Sequence, residues 1–316
     1  MTEQTVAETE QSNAPENSFP PQIPLPLGLR FVVLATVLFP LLGVIAAIVL
    51  MWGWGVHWPE LVILAVMYLF TGLGVTVGYH RFFSHRSFEA NSVVTCILGI
   101  LGSMSFQSPV LLWVALHRKH HQYSDHPGDP HSPLTYGRST MGILRGLWHA
   151  HIGWMFQSWP DMSHYVKDLQ QSTLIRWIDN LYLVWVILGL LIPTGLGFVL
   201  GGGWYGALMG LIWGGFVRVF LTQHITYGVN SIGHTWGRQD YASQDSSRNI
   251  FLLGVIAMGD GWHNNHHAAP TSARHGVRWW ELDLSFAVIQ LLALFRLAWN
   301  VKPFPRDRLT PISRKP

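Results

Sequence analysis

Three clusters of closely spaced histidines are the residues in this chain best suited to chemistry. They are the segments HRFFSH, HRKHH and WHNNHH. Positions i, i+3 and i+4 of a helix share one face, so each HxxHH box presents three imidazoles to the same side. Imidazole is a common ligand of zinc, copper, iron and nickel, so the clusters predict metal binding without naming the metal.

The number of imidazoles predicts more than one metal ion. The segment Asn230-Ser-Ile-Gly-His234 follows the last apolar run and places two polar side chains four residues apart on one helical face. With the three boxes it brings the candidate imidazoles to nine, which is too many for one ion and suits two. The nine are His80, His85, His117, His120, His121, His234, His263, His266 and His267.

The missing motifs narrow the chemistry of this candidate site. The sequence has no HExxH of a zinc protease and no ExxH pair of soluble di-iron bundles. A single cysteine, Cys96, excludes internal disulfides and cysteine-rich metal sites. A dinuclear site built from histidines at a membrane surface favours redox chemistry with O2 over hydrolysis.

The first box constrains the helix that carries it. His80 and His85 are five residues apart, which is about 140° around an ideal α-helix. For both imidazoles to face one site, the second apolar run must end or bulge near them.

The composition indicates a membrane protein. Hydrophobic residues make up 49% of the 316 residues, charged residues only 12%, and the mean hydropathy is +0.24; soluble domains carry about 25% charged residues. The net charge of +3 needs no nucleic-acid partner to explain it.

Four apolar runs predict the fold class, an all-α integral membrane protein. The expected spans are about 31–52, 61–79, 181–200 and 204–223, the last two separated by three glycines. Eight Lys and Arg lie between Tyr79 and Asn180 and ten follow Gln223, whereas the turns within the span pairs hold none. The positive-inside rule then predicts two helical hairpins capped by a cytosolic helical domain that carries the histidine clusters, with cytosolic parts 80–180 and 224–302.

Two apolar stretches are expected not to cross the membrane. A single crossing at 91–116 would put the basic regions on opposite sides, so we place this stretch on the membrane surface or under the cytosolic domain. The stretch 284–298 receives the same interpretation. Residues 1–28 are predicted to be a disordered acidic tail, 29–302 the catalytic domain and 303–316 a C-terminal tail.

The remaining histidines are given simpler roles. His126 and His131, with Asp125 and Asp129, are candidates to orient a ligand imidazole from behind. Six others are interpreted as amphipathic anchors at the membrane interface: His57, His149, His151, His164, His224 and His275.

Five ordered sequence blocks resemble a known family. They are GYHRFFSHRSF, WVALHRKHHQYSDHPGDPHSP, HIGWMF, VNSIGH and GDGWHNNHHAAPTSARHGVRWWELDLS. Together they are similar to the membrane fatty acid desaturases, particularly the acyl-CoA and acyl-lipid Δ9 type, from about Phe31 to Lys302. Asp260 departs from the pattern, since many members carry Glu there.

The resemblance implies an activity and a ligand set. The nine histidines would bind two Fe2+ ions, and Asn230 would approach one iron directly or through a water. O2 and external electrons would be used to insert a cis double bond, at carbon 9, into a saturated chain on CoA or a membrane lipid. The electrons would come from a separate ferredoxin, rubredoxin or cytochrome. The resemblance also implies four spans with both termini and the active site in the cytosol. A bacterial inner membrane is the predicted location, because residues 1–28 show no organelle signal.

Three questions stay open at the level of the sequence. Leu64 and Tyr68 lie on one face of the second span, where a bulky side chain could close the substrate tunnel, although core packing is the simpler interpretation. A lipid hydroxylase or ketolase on the same scaffold is an alternative activity. A metal transporter is a more distant one, because transport places polar ligands within spans and the boxes lie at or beyond span ends.

Overall fold

Helices account for 66% of the chain, which confirms the all-helical fold class. The computed structural model describes residues 24–137, 139–158 and 162–312. Most of the predicted N-terminal tail, residues 1–23, lies outside the described residues. In the described part, the sheet is one antiparallel pair of two-residue strands, β1 (Glu89–Ala90) and β2 (Ala298–Trp299).

Two of the long helices contain π-helical segments. In chain order the α-helices are α1 (Leu27–Trp54), α2 (Trp58–Leu73), α3 (Ser92–Ser103), α4 (Val110–Tyr123), α5 (Thr140–His151), α6 (Lys167–Gln170), α7 (Thr173–Asn180), α8 (Tyr182–Leu200), α9 (Trp204–Gly210), α10 (Arg218–Ser231), α11 (Phe251–Ile256), α12 (His263–Ala268) and α13 (Leu284–Leu294). A π-helix at Gly74–Ser84 extends α2, and a second at Leu211–Val217 joins α9 to α10.

Four helical stretches of the described chain are long and apolar enough to cross a membrane, as the sequence predicts. They are Leu27–Gly53, Trp58–Ser84, Tyr182–Leu200 and Trp204–His234. The second and fourth run past their predicted ends because the helix continues from the apolar run into the polar segment that carries histidines. These two helices therefore carry His80 and His234 towards the site.

The two other apolar stretches are shorter helices. Residues 91–116 are divided between α3 and α4, with a break that includes Phe106 and Ser108 at positive φ. Asn91 caps α3 by accepting a hydrogen bond from the backbone N–H of Val94 at 2.9 Å. At 12 and 11 residues, α3 and α13 are too short to span a bilayer, which needs about 20 residues.

Buried polar contacts tie the spans together. Arg218 lies in the fourth span with its side chain wholly buried. Its guanidinium donates to the carbonyl oxygens of Met104 (2.6 Å), Gly189 (2.7 Å) and Gly214 (3.1 Å). A buried cation in a membrane helix needs such partners, so Arg218 links the end of α3 to α8 and to its own helix.

The π-helix at Gly74–Ser84 solves the spacing problem of the first box. Its hydrogen bonds join residue i to i+5, and the N–H of His85 donates to the carbonyl oxygen of His80 at 3.2 Å. Residues five apart are therefore neighbours on this helix, and the ring centroids of His80 and His85 lie 5.0 Å apart. The bulge expected from the spacing is confirmed and extends over 11 residues.

Glycines let this π-helix approach α3 closely. A Cβ atom built on Gly74 would lie 2.3 Å from the backbone nitrogen of Gly102 and 2.4 Å from the carbonyl carbon of Leu101. Neither contact can be relieved by a side-chain rotation, because both atoms belong to the backbone. The position of the first box thus depends on the absence of a side chain at Gly74.

Gly74→Ala is expected to lower stability by about 1–3 kcal/mol, the usual cost of overpacking a tight interface, and to reduce bound metal. Thermal unfolding in detergent and metal analysis measure the two effects. Gly195→Ala is the matched control, since a Cβ there meets nothing within 4 Å. Equal stability of the two variants would contradict the role given to this contact.

Candidate metal centre

The nine predicted histidines form two adjacent groups. The first, called site A, contains His80, His85, His117, His121 and His266, one nitrogen of each lying within 4.8 Å of the others. Three nitrogen pairs are in direct contact: Nε2 of His80 and His266 at 3.0 Å, of His266 and His121 at 3.0 Å, and of His85 and His117 at 2.8 Å. Five imidazoles thus converge on one point.

The second group, called site B, contains His120, His234, His263 and His267, again within 4.8 Å. The Nε2 atoms of His234 and His263 are 2.9 Å apart. The Nε2 atoms of His120 and His267 are buried and have no hydrogen-bond partner in the described part of the chain. Four imidazoles therefore aim at a second point.

Each HxxHH box contributes to both sites. On α4, His117 and His121 belong to site A and His120 to site B. On α12, His266 belongs to site A, while His263 and His267 belong to site B. The sequence predicts that each box faces one metal region. In the structure α4 and α12 each contribute to both sites, and so they hold the two sites next to each other.

Four buried carboxylates orient the imidazoles. Nδ1–H donates to a carboxylate oxygen in each of four pairs, and these are His80 to Asp260 (2.8 Å), His120 to Asp129 (3.0 Å), His234 to Asp125 (2.9 Å) and His267 to Asp245 (2.5 Å). An ionised carboxylate has no proton to donate, so Nδ1 carries the hydrogen and Nε2 keeps its lone pair. In each pair Nε2 is therefore ready to bind a metal.

The orienting role predicted for Asp125 and Asp129 agrees with these contacts. The corresponding role of Asp245, in a polar loop, had no signal in the sequence. Asp260 is marked there only as a departure from the family pattern, because its partner His80 lies 180 residues away. His131, proposed alongside them, stacks on the His120 ring with centroids 4.3 Å apart. Exposed His126 bonds instead to the carbonyl oxygen of Ser124.

The donor set fits metal ions. Two nitrogens that bind one ion at right angles, with bonds of about 2.1 Å, lie about 3.0 Å apart. The close nitrogen pairs in sites A and B span 2.8–3.0 Å. Lone pairs brought so close, and the partnerless nitrogens of His120 and His267, are satisfied by a cation between them.

Burial favours the neutral form of four ligand imidazoles in particular. It lowers the pKa of His117, His121, His263 and His266 well below the usual range, and neighbouring histidines lower each pKa further. Burial alone would raise the pKa of Asp260, but its contacts with His80, His275 and Arg81 hold it well below its usual value. Neutral imidazoles beside ionised carboxylates are the protonation states that metal binding requires.

The anchor interpretation is wrong for His149 and His275, which are both buried. Burial lowers the pKa of His275 to about 4, and its Nδ1 lies 3.3 Å from Asp260 and 3.1 Å from the guanidinium of Arg81. The loop after α12 turns back on the site and carries this residue inside, which spacing could not reveal.

His151 and His224 are half-buried and bonded to each other at 2.9 Å. The exposed residues His57 and His164 agree with the predicted anchor role.

An apolar cavity reaches the two sites. Three histidines line it at the metal centre, His80, His117 and His263, and Asn230 lies in the same wall. Tyr68 also lines the cavity, and its hydroxyl donates to the carbonyl oxygen of Ile256 at 2.6 Å.

Leu64, which the sequence pairs with Tyr68, packs instead in a cluster with Ala47, Ile212 and Val217. Leu64 is not one of the described residues that line the cavity. Of the two candidate tunnel residues, only Tyr68 is thus placed where it can contact a bound chain.

The first two boxes are joined by an arginine. Arg118 donates to the carbonyl oxygens of Phe83 and Ser84, at 2.7 and 3.0 Å, and makes two bonds to Asp168, at 2.7 and 3.0 Å. Burial alone would raise the pKa of Asp168, but Arg118 and then Arg86 lower it to about 2. The hydrogen bonds to Phe83 and Ser84 fix α4 against the end of the π-helix, and the ion pair with Asp168 joins α4 to α6.

The comparisons with known proteins agree with this geometry. The family model described as fatty acid desaturase matches residues 54–303. The hex-5-enoyl-[acyl-carrier protein] acetylenase of Moorena producens (strain JHB) is 43% identical over 83% of this chain and 83% of its own. The sn-1 stearoyl-lipid 9-desaturase of Synechocystis is 39% identical over 80% and 74%. The Delta-9 acyl-lipid desaturase 1 of Arabidopsis thaliana is 33% identical over 78% and 76%.

A helical protein with four candidate membrane spans and two adjacent histidine clusters able to hold metal defines a class of membrane metalloproteins. Within that class, the chain belongs to the fatty acid desaturase family. The predicted resemblance is confirmed.

His120→Ala and His121→Ala are expected to empty different sites, although the residues are adjacent. Each variant should fall from two bound metal ions per chain to about one, because each removes a ligand from only one cluster. Elemental analysis of purified protein measures the loss. His164→Ala, exposed and outside both clusters, should keep two ions. Loss of both ions in both variants would mean that the sites are not separate.

Asp168→Asn is expected to destabilise the protein by about 1–3 kcal/mol at pH 7, the usual value for hydrogen bonds to a charged group. The carboxyl pKa is depressed from 3.8 to about 2 in the folded state, so its stabilisation is present above about pH 4 and lost as the pH falls towards 2.

Thermal unfolding at several pH values should therefore show the gap between Asp168→Asn and wild type narrowing below pH 4. Exposed Asp307→Asn should match wild type throughout. A gap independent of pH would refute the electrostatic origin.

Proposed function

We propose that the protein is an O2-dependent fatty acyl desaturase that introduces a cis double bond at carbon 9 of a saturated chain. The observation that carries this proposal is the apolar cavity with both histidine clusters at its wall. Membership of the desaturase family supports the reaction type, and the relatives named as 9-desaturases support the position.

The proposed cofactor is a pair of iron ions, held by five histidines in site A and by four histidines, with Asn230 directly or through a water, in site B. When bound, the iron pair supplies the activation of O2 that removes hydrogen from an unactivated methylene. The protein positions the metal ligands and the substrate chain. Its carboxylates hold the imidazoles, and its apolar wall excludes water and fixes which carbon lies beside the metal centre.

The depth of the cavity would set the distance from the chain end to the double bond. Tyr68 precedes His80 by 12 residues, which is at most about 18 Å along the helix at the α-helical rise of 1.5 Å per residue, since the π-helical part rises less. A large side chain there can close the cavity. The same wall carries Thr222 and Thr226, whose hydroxyls donate to carbonyls of their own helix, so they leave an apolar lining.

The fatty acyl chain is proposed to be attached to either CoA or a membrane lipid. A relative at 43% identity is named for an acyl-carrier-protein substrate and for forming an alkyne. That relative favours a second candidate function, oxidation of an existing double bond to a triple bond in the same cavity. Both reactions remove two hydrogens, so the site needs no change of chemistry.

The proposed membrane arrangement has two hairpins, with both termini and the metal centre on the cytosolic side of a bacterial inner membrane. The uneven distribution of Lys and Arg supports it, since the basic regions flank the spans on one side. The catalytic domain would comprise residues 29–302. Electrons would arrive from a separate carrier of the ferredoxin, rubredoxin or cytochrome type.

Gas chromatography with mass spectrometry of total fatty acids tests the reaction. The host should lack unsaturated chains, supply a one-electron carrier, and express either the intact protein or His120→Ala. We expect cis-9 monoenes with the intact protein and none with the variant, because His120 belongs to site B.

The same experiment separates the alternatives by mass. With a cis-monounsaturated fatty acid added to the culture, products lighter by two hydrogens than that acid would support the acetylenase, and oxygenated chains would replace the proposal with a hydroxylase or ketolase. Unchanged fatty acids, with folded and metal-loaded protein and an active donor, would refute a desaturase. Metal uptake into vesicles under those conditions would favour the transporter.

Tyr68→Ala is expected to shift products towards longer chains, because it removes the ring from the cavity wall and opens space along the second span. The product profile of the same assay measures the shift. Leu64→Ala is the matched control on the same helix, since it packs outside the cavity. An unchanged profile for Tyr68→Ala would exclude this residue as the end of the tunnel.

A further inference from the structure

The carboxylate of site A is shared with a buried arginine. Asp260 accepts from His80 through one oxygen, and from the guanidinium of Arg81 at 3.1 Å through the other. The Arg81 side chain has no solvent exposure. It also bonds to Asp283 at 2.8 Å and to the carbonyl oxygen of Ala273 at 3.0 Å. The negative charge behind His80 is therefore offset in part by a cation that Asp260 shares with Asp283.

The three carboxylates of site B have neutral partners besides their histidines. Asp125 accepts from the hydroxyl of Ser132 and the backbone N–H of Ser246, both at 2.8 Å. Asp129 accepts from the backbone N–H groups of Asp125 (2.8 Å) and His131 (3.0 Å). Neutral donors orient a carboxylate without cancelling its charge.

Asp245 also has neutral hydrogen-bond donors besides its histidine. Its oxygens accept from the Ser243 hydroxyl at 2.9 Å and the Ser247 backbone N–H at 3.0 Å. Each site B carboxylate therefore keeps its charge close to the imidazole that it orients.

The balance of charge differs between the sites even when nearby cations are included. Around site A, Asp260 and Asp283 share Arg81, and Arg118 adds a positive charge beside His85, since its guanidinium donates to the carbonyl oxygen of Ser84 at 3.0 Å. Around site B there are three carboxylates, and Lys119, which adjoins His120, adds one positive charge. Site B is the more negative, although it has one imidazole fewer.

We propose that the two sites are unequal. Site B binds the first divalent ion, and Arg81 acts as a positioning residue that weakens site A by drawing the charge of Asp260 away from His80. A carboxylate behind an imidazole makes the ring a stronger donor, and loss of such a partner typically costs 10–100-fold in metal affinity. The order of filling rests on the proposed identity of the centre as a di-iron site, but not on the reaction performed there.

Anaerobic titration with 57Fe2+, followed by Mössbauer spectroscopy and by competition with a chelator, tests the order of filling. Wild-type protein should show one quadrupole doublet at one equivalent and a second doublet as the second equivalent is added. In Asp245→Asn the first doublet should weaken, with its affinity about 10–100-fold lower. In Asp260→Asn the first doublet should be unchanged. Glu89→Gln, an exposed carboxylate bonded to Trp299 and Asn300, should behave as wild type.

The Arg81→Gln variant tests whether Arg81 acts on site A through its charge or only through its structural contacts. Loss of its charge should raise the affinity of site A, so both doublets should appear together at one equivalent, whereas a purely structural residue would lower that affinity. If this variant does not fold, the two aspartate variants decide. Doublets of equal intensity throughout the wild-type titration would overturn the proposal, as would equal effects of both aspartate variants on the first ion. These readouts do not depend on catalysis, so failure to desaturate leaves them valid.

Discussion

A hydrogen bond from a histidine Nδ1–H to a buried carboxylate is the interaction on which the centre depends. It occurs four times, and each time it leaves Nε2 aimed at a metal position. An imidazole without such a partner could rotate or exchange the hydrogen between its nitrogens, and a cluster of nine would have no defined arrangement. The rest of the fold serves to bring the carboxylates, which lie on loops, behind histidines that lie on helices.

This requirement explains several unusual features of the helices. The π-helix at Gly74–Ser84 lets residues five apart face one site, and Gly74 and Gly102 let it lie directly on α3. Arg118 then joins its end to α4, which carries the second box. Each contact would be costly in isolation, since it buries polar groups or forbids side chains. Together they hold the boxes without requiring a long rigid helix.

The sequence was informative where the signal was local. The HxxHH spacing, the apolar runs and the five-residue gap between His80 and His85 each constrain a single element, so the boxes, the four candidate spans and the bulge could all be predicted. The division of each box between two sites could not, because it depends on the angle at which α4 and α12 meet.

Contacts between residues far apart in the chain could not be predicted either. Asp260 lies three residues from His263 yet bonds to His80, and Asp245 is reached only when the loop after α10 folds over α12. The anchor role predicted for His275 is wrong for the same reason, since the residues next to it in the sequence do not distinguish a buried loop residue from an interfacial one. Such pairs are set by tertiary packing and carry no periodicity.

The proposed centre holds two iron ions by histidines alone or nearly so. Extended X-ray absorption at the iron edge, on protein with a measured metal content, tests this ligand set. We expect two irons per chain, with nitrogen as the nearest neighbour and strong multiple scattering from imidazole rings. A single iron per chain, or a shell dominated by carboxylate oxygen with few imidazoles, would contradict it.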